Sequence, residues 1–106
     1  MKDDKIYIKN IIYSAQKIET FTKGVSKEEF LNDQMMQSAV ILQLALIGEE
    51  ANKISDATKS KIALPRKEII GFRNMAVHEY LNLELNIVWD AVEDDIPVLK
   101  KELLNK

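Results

Sequence analysis

The sequence predicts an all-α protein, and three observations support that prediction. Apolar residues recur at helical spacing in several segments, and no segment keeps the strict alternation of a strand. The 106 residues also include only three Gly and two Pro. Amphipathic helices of this kind bury their apolar faces most simply in an up-and-down four-helix bundle. The length suits a single domain, and neither a linker nor an internal repeat divides residues 1–106.

The first helix is predicted to run from about Asp3 to about Phe21. Its apolar residues recur three and four positions apart and form one face; they are Ile8, Ile11, Ile12, Ala15 and Ile18. Gly24 is a typical break after such a helix. One buried face and one polar face are therefore expected here.

The second helix is predicted to begin at the run S-K-E-E at 26–29 and to continue to about Ile54. This run matches a capping box, in which the serine and the second glutamate satisfy each other's backbone N–H groups. The stretch 39–47 is apolar nearly all round, apart from Gln43. A helix of this kind is expected to contact its own bundle on one side and a second copy of the chain on the other. Burial entirely within one chain is the alternative.

The second half of the chain predicts a loop and two further helices. Residues 55–64 are polar and typical of a loop, and Pro65 suits the first turn of a third helix, where no N–H is needed. The last helix carries one apolar seam with spacings of four and three: Leu85, Trp89, Val92, Ile96, Leu99 and Leu103. Pro97 lies inside this seam and predicts a kink or a restarted turn.

Composition excludes several classes of site. There is no Cys and only one His, which excludes disulfides and thiolate metal ligands and disfavours a zinc site. No Gly-rich phosphate loop occurs, so neither a metal nor a cofactor is predicted. The charged N-terminus lacks the apolar core of a signal peptide, and the stretch 39–47 is too short to span a bilayer. A cytoplasmic protein without membrane association is therefore expected.

The charge is distributed unevenly along the chain. The net charge of −2 argues against a general nucleic-acid coat protein. Residues 57–78 nevertheless hold five cations against Glu68 alone, and the stretch that follows is acidic. A local basic segment can hold one phosphate-bearing ligand without making the protein basic. The alternative is an ordinary solvated loop and helix face.

The residues best suited to chemistry lie between Arg73 and Tyr80. His78 is the only histidine, and histidine exchanges protons near neutral pH. The planar guanidinium of Arg73 suits a phosphate and the charge that develops on it. Asn74 could orient either group by hydrogen bonding. These residue types fit metal-free cleavage of RNA with the neighbouring 2′-hydroxyl as nucleophile.

Helical geometry limits how these side chains meet. Residues five apart on a helix diverge by roughly 140°, so Arg73 and His78 would not share a face, whereas Asn74 and His78 would. Either the helix loosens near His78, or a second protomer completes the site. In the alternative without chemistry, His78 caps a helix end and Arg73 pairs with Glu79 or Glu84.

The run G-F-R-N-x-x-x-H-x-Y at 71–80 resembles the signature of HEPN domains, most closely that of the HepT-like toxins. The similarity extends to the run I-G-E-E-A-N-K-I at 47–54 and to the pairs V-W at 88–89 and I-P at 96–97. The resemblance implies a helical bundle that dimerises, with two motifs facing a shared cleft. It implies that Arg73 and His78 carry metal-independent RNA cleavage, with Asn74 in support.

The same resemblance implies a mode of regulation. In HepT-like toxins the partner is a minimal nucleotidyltransferase antitoxin (MntA-like), which transfers AMP from ATP onto the tyrosine that matches Tyr80. Without the resemblance, an aromatic side chain at a helix end is more often a packing residue. The added negative charge is expected to repel RNA from the site.

Three hypotheses follow for the chain as a whole. The first is the toxin component of a toxin–antitoxin system, a dimeric ribonuclease neutralised by AMPylation. The second is a non-catalytic nucleotide- or partner-binding subunit of a two-protein nucleotidyltransferase complex, in which the same motif binds phosphate without cleaving RNA. The third is a purely structural helical dimer, in which Arg73 and His78 only pack and pair.

Overall fold

The computed structural model describes residues 2–62 and 84–104, and all regular structure within these ranges is helical. The all-α prediction is confirmed, and the described helices are compatible with the predicted helical bundle. They are α1 (Lys2–Thr22), α2 (Lys27–Leu31), α3 (Gln34–Lys53), α4 (Asp56–Lys59), α5 (Leu85–Asp90) and α6 (Ile96–Leu104), with a π-helical turn (Ala91–Asp95) between the last two. Neither part of the described chain contains a helix long and apolar enough to cross a membrane.

Helices α1 and α3 form an antiparallel pair at the centre of the described fold. The start of α1 lies beside the end of α3, because Asp4 bonds to Ser55 and Asn10 bonds to Glu50. Ile11, Ala15 and Ile18 are fully buried, and Ile8 and Ile12 are half-buried against the core, which confirms the predicted inner face of the first helix. The turn after α1 is completed by Gly24 at a φ of 73°, where an L side chain would be strained.

The predicted second helix is divided in two, so the prediction of one helix to about Ile54 is wrong. The capping box forms as predicted, with the Glu29 N–H donating to Ser26 Oγ at 3.1 Å and the Ser26 N–H donating to Glu29 Oε1 at 2.9 Å. Helix α2 nevertheless ends at Leu31. The backbone of Asp33 is extended, and its carboxylate accepts the Met36 N–H at 3.0 Å. A second N-cap therefore replaces the continuing helix and starts α3.

The predicted loop at 55–64 contains one helical turn, and the prediction is wrong for residues 56–59. Ser55 caps α4, and its hydroxyl accepts the Thr58 N–H at 3.3 Å. A serine followed by Asp56 in the first turn is a helix-start signal that outweighs the polar composition of the segment. The third helix predicted from Pro65 lies outside the described residues.

The seam of the last helix and the disturbance near Pro97 are both confirmed. Every predicted seam residue from Trp89 to Leu103 is buried, and Leu85 is half-buried. The Ile96 N–H donates to the carbonyl of Ala91, five residues earlier. Because proline lacks an N–H and its ring crowds the carbonyl four residues before it, the helix absorbs one wider turn before continuing as α6.

Candidate functional site

The four predicted site residues, Arg73, Asn74, His78 and Tyr80, lie outside the described residues. The structure describes the residues on either side of this segment, which are residues 55–62 before it and 84–89 after it. Lys59 and Lys61 of the predicted basic segment also fall within the described part.

The residues that precede the segment are hydrogen-bonded to a buried carboxylate near the start of the chain, that of Asp4. Asp4 Oδ1 accepts the Ser55 N–H at 2.9 Å. Its Oδ2 accepts the hydroxyls of Ser55 at 2.5 Å and Thr58 at 2.6 Å. These donors, the Ser55 hydroxyl foremost, stabilise the charged carboxylate and lower the pKa of Asp4 to about 2. The network ties α1 to the corner between α3 and α4.

This network predicts an acid-dependent loss of stability. Because the pKa of Asp4 is lower in the folded chain than the ordinary value of about 3.9, its contribution is complete above pH ~4 and is lost as the pH falls through about 2. Asp4→Asn should lower the melting temperature at pH 7, and this difference from the parent should shrink at pH 2–3. Thermal unfolding followed by circular dichroism across pH 2–7 measures both effects.

Thr58→Val is the matched control for the hydrogen-bonding explanation. It keeps the shape of the side chain but removes one hydroxyl donor to Asp4. The acid-dependent part of the stability should fall, but not vanish, because the two Ser55 donors remain. If the melting temperature of Asp4→Asn fell with acid as steeply as that of the parent, the role given to this carboxylate would be contradicted.

The charges that flank the segment are mostly solvated in the described residues. Lys61 is exposed, and Lys59 Nζ donates to the Asn52 carbonyl at 3.4 Å. The acidic residues Asp90, Glu93 and Asp94 are exposed. Within residues 2–62 and 84–104, no group of three or more His, Cys, Asp or Glu side chains is placed to hold a metal ion. For this acidic stretch the structure favours a solvated helix face.

The end that leaves the segment is anchored by a cap and by an aromatic pair. The Glu84 carboxylate accepts the Asn86 side-chain amide at 2.9 Å and the Asn86 N–H at 3.3 Å, and these bonds lower the pKa of Glu84. One turn later Trp89 packs on Phe30 of α2, with ring centroids 5.2 Å apart. Both ends of the segment therefore join the hydrophobic core within a few residues.

A groove between α1 and α3 is a candidate binding surface that sequence reasoning missed. It has a volume of about 200 Å³ and is lined by Asn10, Tyr13, Ser14, Lys17, Gln43, Leu46 and Glu50. Lys17 Nζ lies 4.6 Å from the centroid of the Tyr13 ring, and Asn10 Nδ2 donates to Glu50 Oε2 at 3.4 Å. Gln43, which interrupts the apolar stretch 39–47, was the signal that a polar site would lie on this helix.

Two polar side chains of the groove are buried yet unpartnered. Ser14 and Gln43 are each 7% exposed, and no side-chain hydrogen bond joins either of them to another residue in the described ranges. No fully buried polar atom of the described chain lacks a partner, so the polar atoms of these two side chains still reach solvent in the groove. They are available to an incoming hydrogen-bonding group.

Comparison with known proteins places the chain among ribonucleases. The family model described as "Ribonuclease HepT-like" matches residues 11–105. A protein named "Putative RNase" from Methanocaldococcus jannaschii is 35% identical over 103 residues, which cover 96% of this chain and 94% of the relative. "Probable ribonuclease HepT" from Thermococcus cleftensis is 33% identical over 100 residues, covering 93% and 91%. No solved structure matches the chain significantly.

Proposed function

We propose that this chain, which belongs to the family of HepT-like ribonucleases, is the toxin of a toxin–antitoxin pair that acts on RNA in the cytoplasm without a metal ion. One observation carries this proposal. The complete run R-N-x-x-x-H-x-Y, from Arg73 to Tyr80, lies inside the part of the chain that matches the family. Ribonuclease activity follows from the family, whereas the toxin role, the metal-free mechanism and the regulation are the proposal.

In the proposed reaction the RNA supplies its own nucleophile. The 2′-hydroxyl attacks the adjacent phosphorus, the bond from phosphorus to the 5′-oxygen breaks, and the products are a 2′,3′-cyclic phosphate and a 5′-hydroxyl. His78 takes the proton from the 2′-hydroxyl or gives a proton to the departing 5′-oxygen, and water makes the other transfer. Arg73 binds the phosphate and stabilises its developing charge, while Asn74 orients the imidazole or a phosphate oxygen.

The proposed active form is a homodimer. Side chains five positions apart on a helix diverge by roughly 140°, so one continuous helix does not bring Arg73 and His78 to one face. Two protomers whose motifs meet across a shared cleft would remove this conflict. The apolar side chains of Leu42 and Leu46, which α3 leaves exposed, support association with a second copy.

The proposed regulator is a partner nucleotidyltransferase, the MntA-like antitoxin. The Tyr80 hydroxyl attacks the α-phosphorus of ATP, pyrophosphate leaves, and AMP remains attached through a phosphodiester bond. Tyr80 is two residues from His78. The adduct adds bulk and negative charge beside the residues that bind the RNA phosphate, and like charge repels RNA. In this proposal the residue that is modified and the residues that cleave RNA belong to the same run of the sequence.

The test combines cleavage with modification. The purified chain should cut RNA in the presence of a chelator and should stop cutting after incubation with its cognate nucleotidyltransferase and ATP. Mass spectrometry should then find AMP on the peptide that contains Tyr80. Tyr80→Phe is the matched variant, because it keeps the ring and removes the acceptor oxygen. This variant should cut RNA as the parent does and should resist neutralisation.

Two outcomes would contradict the proposal. A chain that cuts RNA only when Mg²⁺ is added would exclude the metal-free mechanism. A chain that never cuts RNA, yet binds nucleotide and the transferase, and keeps both affinities in His78→Ala, would favour the binding-subunit hypothesis. Growth of a host on induced expression separates the same two cases, since only a ribonuclease toxin should arrest it.

A further inference from the structure

We propose that the groove between α1 and α3 binds one nucleotide, with the base inside the groove and the phosphate at Lys17. The groove is lined by residues of α1 and α3 and not by the run from Arg73 to Tyr80, so this is a second binding site of the chain. A nucleotide can come from two sources, an unpaired residue of single-stranded RNA or a free mononucleotide. The RNA source rests on the proposed function, whereas nucleotide binding itself does not.

The bottom of the groove has hydrogen-bonding capacity that the chain itself does not use. Ser14 and Gln43 line the groove and are each 7% exposed, and neither has a side-chain hydrogen-bond partner within the described residues. An amide presents a carbonyl acceptor beside an NH₂ donor, and a hydroxyl can act as either. Base edges present donors and acceptors side by side, and a glutamine amide can pair with adenine through two bonds. These buried groups therefore suit the edge of a base.

The two sides of the groove carry exposed side chains that suit the flat faces of a base. Tyr13 of α1 is 60% exposed and Leu46 of α3 is 41% exposed, and both line the groove. Bases stack on aromatic rings, and a base removed from its stack packs between aromatic and apolar side chains. The groove volume of about 200 Å³ is below the ~300–1,000 Å³ of pockets for drug-sized ligands. This volume limits the buried part of the ligand to about one flat ring system.

The position of Lys17 indicates where the phosphate lies. Lys17 is half-buried, and its Nζ lies 4.6 Å from the centroid of the Tyr13 ring. No carboxylate of the described residues forms an ion pair with this ammonium group. A cation–π contact at an exposed ring is weak, so Lys17 can turn to a phosphate while the ring receives the base.

The opposite end of the groove carries a carboxylate that orients the ligand. Glu50 lies there beside Asn10, whose amide donates to Glu50 Oε2 at 3.4 Å. Glu50 Oε1 lies 3.7 Å from Lys53 Nζ, so the carboxylate is partly neutralised. Its remaining lone pairs can accept from a base amino group or a ribose hydroxyl, but not from a phosphate. Because Lys17 lies seven residues, or about 10 Å, from Asn10 along α1, the phosphate is directed to the Lys17 end.

The first experiment titrates the full chain with AMP and follows the backbone amides by NMR. The amides of residues 10–17 and 43–50 should shift together and give one dissociation constant. Ribose 5-phosphate keeps the sugar and the phosphate but lacks the base. It should bind at least about tenfold more weakly, because stacking and the hydrogen bonds to the base are lost.

Variants of the groove separate the contributions to AMP binding. Gln43→Met keeps the length of the side chain and removes both polar groups of the amide, so it should weaken binding about tenfold. Tyr13→Ala should weaken binding at least about fivefold, as the loss of a stacking ring does. Tyr13→Phe keeps the ring and should bind AMP as the parent does. Thermal unfolding followed by circular dichroism shows that each variant is folded.

The second experiment tests whether the nucleotide belongs to RNA. The probe is a 2′-O-methyl octaadenylate, which the proposed reaction cannot cut because it lacks a free 2′-hydroxyl. Its binding constant should fall as the salt concentration rises. Lys17→Gln should reduce the slope of this log–log dependence by about 0.7, the share of one phosphate contact on a single strand. Lys101→Gln is the matched control, because Lys101 is exposed on α6, outside the groove, and its slope should equal that of the parent.

Each result decides the proposal. If millimolar AMP leaves residues 10–17 and 43–50 unshifted, the groove is not a nucleotide site. The same conclusion follows if Gln43→Met and Tyr13→Ala bind AMP as the parent does. If both variants lose AMP, but Lys17→Gln binds the octaadenylate with the parental affinity and slope, the ligand is a free mononucleotide and the RNA source is wrong. Binding is measured without cleavage, so failure here is separate from failure of the proposed function, which is read as cleavage in a chelator.

Discussion

His78→Ala is expected to slow RNA cleavage by about a thousandfold, within the range of roughly 10²–10⁴ that a general acid or base contributes. Arg73→Ala should slow it by about 10²–10³-fold, as the loss of a group that stabilises transition-state charge does. If both residues act on the same phosphate, the double variant should be little slower than the slower single variant, because residues that act as one unit are not additive.

Single-turnover cleavage of a defined RNA in a chelator measures these rates. Lys101→Ala is the control for loss of positive charge, since Lys101 is exposed on α6 and has no assigned role in the reaction. Arg73→Lys keeps the charge but loses the planar fork that holds two phosphate oxygens, so an intermediate rate is expected. A His78→Ala variant that cuts RNA at the parental rate would remove the histidine from the mechanism.

Much of the described fold could be predicted from the sequence, because its signals are local or periodic. The inner face of α1 follows from the spacing of Ile11, Ala15 and Ile18, all of which are buried. The capping box at Ser26 needs only residues three apart. The wider turn before Pro97 follows from the missing N–H of proline. Each of these features depends on residues within a few turns of one another.

The breaks that the sequence analysis missed depend on competition between two local signals. Residues 26–54 contain a helix start at Ser26 and a second one at Asp33, and apolar periodicity alone does not decide which signal prevails. The same holds for Ser55, which begins α4 within a polar stretch. In both places a side-chain oxygen accepts a hydrogen bond from a backbone N–H and starts a new helix.

The two candidate surfaces differ in how far the sequence could reveal them. The run from Arg73 to Tyr80 is identified by residue types and spacing alone, and it lies outside the described residues. The groove between α1 and α3 depends on how two helices pair across some thirty residues of sequence. Gln43 gave only a hint, because the sequence does not show which side chains of α1 lie opposite it in the groove.

Phe30→Ala should be strongly destabilising. Phe30 is fully buried, and its ring packs against Trp89 at a centroid distance of 5.2 Å. It belongs to α2, which has only five residues and is too short to be stable alone. Removing the ring loses burial and leaves a cavity, for an expected cost of about 3–5 kcal/mol in the free energy of unfolding. A loss of this size is a large part of a typical total of ~5–15 kcal/mol.

Chemical denaturation of three variants checks the explanation as well as the magnitude. Phe30→Leu keeps much of the volume and should cost clearly less than Phe30→Ala. Val98→Ala, at an exposed position on α6, should stay within about 0.5 kcal/mol of the parent. Trp89 lies on α5, six residues after residue 83. Its contact with Phe30 therefore also holds α5 against α2. A Phe30→Ala variant no less stable than Val98→Ala would mean that other contacts hold α2 and α5 in place.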